Sequence, residues 1–138
     1  MEVSSRPPRI YTVEEANQAL PKVREAVGAI VQLASLLPEL EEQARIDDYK
    51  TSRRADDPEA EAEFQKSRRA IWDAEMEVAK AVARLEQMGI ALKDPSQGLI
   101  DFYAYRDDEM VELCWKLGEE SVAHWHRIGE GFAGRKRL

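Results

Sequence analysis

The sequence is poor in most residues that announce a chemistry. It holds one cysteine, two histidines and three phenylalanines among 138 residues. A single cysteine excludes an internal disulfide and leaves Cys114 as a thiol or thiolate, as expected in a reducing compartment. There is no Cys-x-x-Cys pair and no His-Glu-x-x-His motif, so the compact zinc signatures are absent. No stretch approaches about 18 continuous apolar residues, and MEVSSRPPRIY lacks an apolar leader core, so the expected location is cytoplasmic. Positive charge is also in deficit: 20 Lys and Arg stand against 27 Asp and Glu, a net charge of −7. That balance argues against nucleic-acid and anionic-membrane partners. The one basic cluster, GRKRL at the C-terminus, reads as a solvated tail.

What remains is charge and helical periodicity. With 43% apolar and 34% charged residues, the expectation is one charge-rich domain over 1–138, mostly helical in its first two thirds. Residues 1–11, with RPPR, read as a flexible tail. Thr12 and Glu15 have capping-box spacing and start a helix. Pro21 predicts a break or bend near Leu20 and a restart. Val23, Val27, Ile30, Ala34 and Leu37 then form one apolar stripe in steps of four and three. Pro38 predicts a kink or end, with a polar continuation to about Arg45. Residues 46–57 lack periodicity and read as an exposed loop.

Asp57-Pro58 is a second start signal, an acceptor at the N-cap and proline at the first helical position. The helix after it should reach Met88, with Gly89 placed to end it. Phe64, Ile71, Val78 and Leu85 recur every seven residues, and Ser67, Ala74, Ala81 and Met88 follow three residues after each. This is a coiled-coil-like seam with small residues that permit close approach. The first helix is its nearest partner, giving an antiparallel helical hairpin over 12–88. So long and thin a hairpin predicts a homodimer.

After Gly89 the pattern changes. The only cysteine, both histidines and two of three tryptophans lie between Gly98 and His126. LIDFYAY, RDDE and MVELCWKL make a β-hairpin pattern. With the turn at Asp107-Asp108, Ala104 faces Val111, Phe102 faces Leu113 and Ile100 faces Trp115, all apolar and therefore core. A slip of one residue would bury Asp101 and Glu112 instead. Asp101 then pairs with Cys114 on the opposite face, Tyr103 with Glu112, and Tyr105 with Met110. A third strand, VAHWH, sends Trp125 to the core and His124 and His126 to the Asp101–Cys114 side. The expected fold is α+β: the long helical hairpin, then a small antiparallel sheet over 89–138 ending in a Gly-rich C-terminal loop.

Four blocks, YTVEEANQALPKVR, GLIDFYA, LCWKLGE and HWHRIGEGFAGRKRL, resemble the uncharacterised bacterial domain-of-unknown-function family 2203 over nearly the whole chain. LCW-x-LGE followed by WH and G-x-x-GR is the specific part. Tyr103 departs from the pattern, which has proline after Asp-Phe. The resemblance implies no activity. It marks Asp101, Cys114, Trp115, Glu119, Trp125, His126, Gly131, Gly134 and Arg135 as characteristic positions.

Cysteine, histidine and carboxylate are ligand types for zinc or another divalent transition metal, so Cys114 and His126 with Asp101, or with Glu119 in its place, are the candidate metal ligands. The same residues could form a Cys–His–Asp nucleophile, although a cysteine in mid-strand is a poor pivot for attack. Asp101, Glu119 and Arg135 are the candidate ligand-binding residues. Arg135 reads either as a fork for an anion or as a structural partner of Glu119 or Asp101. Trp115 and Trp125 read as core, and Trp72 as core or interface. The leading expectation is a non-enzymatic module that binds a small molecule or protein and dimerises through its helices. The alternative is a metal-dependent, hydrolase-like enzyme with His124 or the spare carboxylate as general base.

Overall fold

Residues 9–138 are described by a computed structural model; of the tail expected over 1–11, residues 1–8 lie outside them. Helix α1 spans Val13–Arg53 and helix α2 spans Pro58–Gln87. Strands β1 (Ile90–Asp94), β2 (Leu99–Arg106), β3 (Glu109–Lys116), β4 (His124–Arg127) and β5 (Lys136–Arg137) follow. A 3-10 turn at Phe132–Gly134 separates the last two strands. The five strands pair in chain order, each antiparallel to the next. The α+β hairpin-and-sheet architecture is therefore the expected one. No helix of the described residues is long and apolar enough to cross a membrane.

Local chemistry sets the helix starts. The Thr12 hydroxyl accepts from the Glu15 N–H at 3.0 Å, and the Glu15 carboxylate accepts from the Thr12 N–H at 2.9 Å. Asp57 accepts from the Glu59 N–H at 2.9 Å, with Pro58 at the first helical position. Before α1, the chain departs from the expected tail. Tyr11 is buried, its N–H donates to the Tyr103 carbonyl at 2.7 Å, and its hydroxyl donates to the Met88 carbonyl at 2.5 Å.

Two further expectations are corrected in α1. The helix neither restarts at Pro21 nor ends at Pro38 but runs on through both. Both prolines are exposed, so water can hydrate the Asn17 and Ala34 carbonyls that lose their bonds, and any bend opens towards solvent. The loop expected over 46–57 shrinks to 54–57. Its first part stays helical because the seam continues there in polar form. Asp47 is buried against α2, accepting from Gln43 at 3.1 Å and from the Ser67 hydroxyl. Thr51 donates to the Asp47 carbonyl at 2.9 Å and lies 3.2 Å from the Ala60 carbonyl. A search for apolar period alone misses such a seam.

On α2 the expected seam faces α1, with Ala74, Ala81 and Leu85 buried. Trp72 is not core, being 53% exposed. The core face of the sheet carries Ile100, Phe102, Ala104, Val111, Leu113, Trp115 and Trp125, packed in one cluster with Leu20, Val23, Val27 and Ile30 of α1. The β2–β3 register is the expected one, from Ile100 opposite Trp115 to Tyr105 opposite Met110. Asp107 (φ 50°) and Asp108 (φ 65°) both adopt positive φ, as a two-residue type I′ turn requires.

Gly98 is a tight joint between the sheet and α1. Its φ is +71°, and an added Cβ would lie 2.7 Å from Leu117 Cβ and 2.9 Å from Val27 Cγ1. Strain and overpacking together predict that Gly98→Ala costs about 2–4 kcal/mol. Gly129→Ala, also at positive φ but in open space, should cost about 1 kcal/mol in urea unfolding. Equal losses at the two positions would refute this account of the joint.

Candidate functional site

The face of the sheet turned from the core is built by the same alternation. Asp101 lies opposite Cys114, Cys114 opposite His124, and Glu112 opposite His126. Side chains directly opposed in an antiparallel ladder share a face. A solvated face would follow from the sequence, yet Asp101, Glu112, Cys114 and His126 are each no more than 3% exposed. Such burial demands a partner for every polar atom.

His126 and Lys93 each face both carboxylates. Its Nδ1 lies 2.8 Å from the Arg127 carbonyl, so Nδ1 carries the proton, and 3.7 Å from Glu112 Oε1. Its Nε2 faces Asp101 Oδ1 at 3.2 Å. A neutral ring protonated on Nδ1 would oppose two acceptors there, so this contact needs a proton on Nε2 or on Asp101. Burial, with the Glu112 charge, pushes the Asp101 carboxyl above its ordinary pKa against the pull of His126 and Lys93. Lys93 completes the group, its Nζ 3.1 Å from Glu112 Oε2 and 3.7 Å from Asp101 Oδ2.

Cys114 borders this cluster. Burial and the nearby Asp101 raise its thiol to about 11, a rise that Arg135 only partly offsets. The thiol therefore stays protonated at neutral pH, and both imidazole nitrogens of His126 are engaged by groups other than sulfur. This geometry opposes the Cys–His–Asp nucleophile. It does bring the candidate ligand set together: one donor atom each from Asp101, Cys114 and His126 lie within 4.8 Å of one another.

Glu119 and Arg135 meet at the rim. Arg135 Nη1 donates to Glu119 Oε1 at 3.1 Å, and Nη2 to Glu119 Oε2, a two-pronged pair. Glu119 Oε1 also accepts from the Lys116 N–H at 2.9 Å, and Arg135 Nη1 reaches Cys114 Sγ at 3.8 Å. The Arg135 fork is thus filled by Glu119, and Asp101 is not its partner. The pair ties the C-terminal segment to the end of β3. His124 shares the face but leaves its buried Nδ1 without a hydrogen-bond partner among the described residues.

Sequence reasoning missed Glu112 and Lys93. Glu112 had a visible signal, since the parity that puts Cys114 on this face puts Glu112 there too. Lys93 had none, because β1 contains an irregularity between Leu92 and Asp94 that shifts its pairing.

The model of the family described as "Uncharacterized conserved protein (DUF2203)" matches residues 9–138. The chain belongs to this family. Every residue of the cluster, from Lys93 to Arg135, falls within the matched span. Neither a curated protein nor a solved structure matches the chain.

The rim pair has a pH signature. Burial would raise the Glu119 carboxyl, but the Arg135 fork and the Lys116 N–H outweigh it and hold the pKa below its ordinary value. A carboxyl depressed on folding stabilises above its unfolded pKa, and that contribution is lost as pH falls through the folded one. Glu119→Gln should therefore cost about 1–2 kcal/mol near pH 7, the Glu119 side chain being 24% and that of Arg135 15% exposed. In urea melts the gap to wild type should close as pH drops below the ordinary carboxylate range. A gap independent of pH would contradict this.

Proposed function

We propose that the protein is a non-catalytic binding module whose receptor is the polar face of the sheet, and whose ligand is a cation. The observation that carries this reading is the burial of Asp101 and Glu112 at 3% and 2% exposure. Lys93, with its side chain 41% exposed, is the ammonium that faces both. Adjacent buried carboxylates repel each other and lose hydration, so a positive guest stabilises the site. The protonated thiol and committed imidazole favour binding over nucleophilic chemistry at this face. The helical hairpin supports the sheet from its other side.

Thermal melts against sodium, spermidine, Mg²⁺, Mn²⁺ and Zn²⁺ test this. At least one should stabilise the chain, by about 2.7 kcal/mol at a hundredfold excess over Kd. Asp101→Asn should abolish that response. A wild-type protein indifferent to the whole panel defeats the reading.

A second reading concerns the partner. Gln65, Arg69, Trp72, Met76, Ala79 and Ala83 are all exposed and spaced by four and three along α2. Trp72 is 53% and Met76 40% exposed, while Ala79 and Ala83 leave room for close approach. A two-fold axis crossing this stripe would match it against itself in a second copy, which supports a homodimer through the hairpin. Light scattering should then give twice the mass of 15.7 kDa, and Trp72→Glu should return the monomer. A monomeric wild type at micromolar concentration would end this reading.

A further inference from the structure

We propose that the cation is a divalent transition metal of the zinc class, held by Cys114 Sγ, His126 Nε2 and a carboxylate oxygen of Asp101. The inference rests on the cation-module reading and names the ligand class of that same face. Neighbouring strands β2, β3 and β4 contribute one ligand each. Their donor atoms already lie within 4.8 Å of one another. In a tetrahedral site with bonds of about 2.0–2.3 Å, ligand atoms stand roughly 3.5 Å apart. Small side-chain movements therefore close the set, without breaking the ladder.

The surroundings resemble what metal ligands need. A ligating histidine commonly donates its other N–H to a carbonyl or carboxylate, which fixes the tautomer and aims the free lone pair. His126 does this through Nδ1, with the Arg127 carbonyl at 2.8 Å and Glu112 at 3.7 Å. The lone pair at Nε2 is thereby presented towards Asp101, at a contact that requires a cation or proton. Arg135 stands 3.8 Å from Sγ, placed to stabilise the thiolate charge that coordination would create. His124, opposite Cys114, lies on the same face with an Nδ1 that has no hydrogen-bond partner among the described residues.

Softness selects the metal. A thiolate and an imidazole suit zinc, cobalt or nickel, whereas Mg²⁺ and Ca²⁺ prefer oxygen. On binding, the metal–sulfur bond forms as the thiol proton leaves to solvent. Any proton held between His126 and Asp101 leaves as well, with no change of oxidation state. Lys93 competes for the Asp101 carboxylate, being 3.7 Å from it, and would be pushed outward.

The test uses the full chain, freed of metal by chelation and titrated with Zn²⁺ in a calorimeter and with Co²⁺ by absorption. The expected result is one metal per chain, a thiolate-to-cobalt charge-transfer band, and the strong visible bands of tetrahedral Co²⁺. Cys114→Ser should abolish the charge-transfer band, and His126→Ala should weaken Zn²⁺ binding by more than about tenfold. Lys93→Met, which leaves all three donors intact, should tighten it. Should either ligand variant fail to fold, the wild-type cobalt spectrum and Lys93→Met still decide. No zinc binding, or cobalt bound without a sulfur band, overturns the proposal. In that event, stabilisation by Mg²⁺ or spermidine would leave the cation-module reading standing, while indifference to every cation would remove both.

Discussion

The pairing of β2 with β3 governs both sides of the sheet. Three apolar pairs, Ile100–Trp115, Phe102–Leu113 and Ala104–Val111, bury one face against the helices. The turn at Asp107-Asp108 holds the strands in that register through two positive-φ residues. Because side chains alternate, the same register obliges Asp101, Glu112 and Cys114 to share the other face. A slip of one residue would send the carboxylates into the hydrophobic core. The polar cluster and the apolar core are therefore two readings of one hydrogen-bond ladder.

The second face is unusual for being closed. Antiparallel sheets with one packed face commonly leave the other solvated. Here the long arms of Lys93 and Arg135 lie along it, and the C-terminal segment adds β5 at the edge. The result is a cluster of mutually dependent charges, Asp101 with His126 and Lys93, Glu112 with Lys93, Glu119 with Arg135. In such networks the removal of one member leaves another uncompensated, so their worth is collective.

Much of this was legible in the sequence. The strand register followed from a turn at Asp107-Asp108 together with apolar alternation, and the hairpin seam from the heptad spacing of Phe64, Ile71, Val78 and Leu85. The same parity placed Asp101, Cys114 and His126 on one face. What could not be read was the burial of that face, because alternation reports sidedness and says nothing of what covers it. The continuity of α1 was also hidden. Pro21 and Pro38 are helix breakers by local chemistry, and only their solvent-facing position makes them tolerable. The polar tip seam was invisible for a different reason: Asp47, Thr51 and Ser67 hold the helices together by hydrogen bonds.

That tip has a consequence for motion. The buried apolar residues of α1 end at Ile30, and beyond it the only buried position is Asp47. By its length the helix continues for roughly 35 Å past that point. At the base, the contacts of Tyr11 with Tyr103 and Met88 clamp the chain entry to the sheet and to the end of α2. The hairpin is thus a lever fixed at one end, with protection of its amides against hydrogen exchange falling outward along both helices. Opening of the far end would break the Asp47, Thr51 and Ser67 bonds and would leave the sheet and its polar cluster in place.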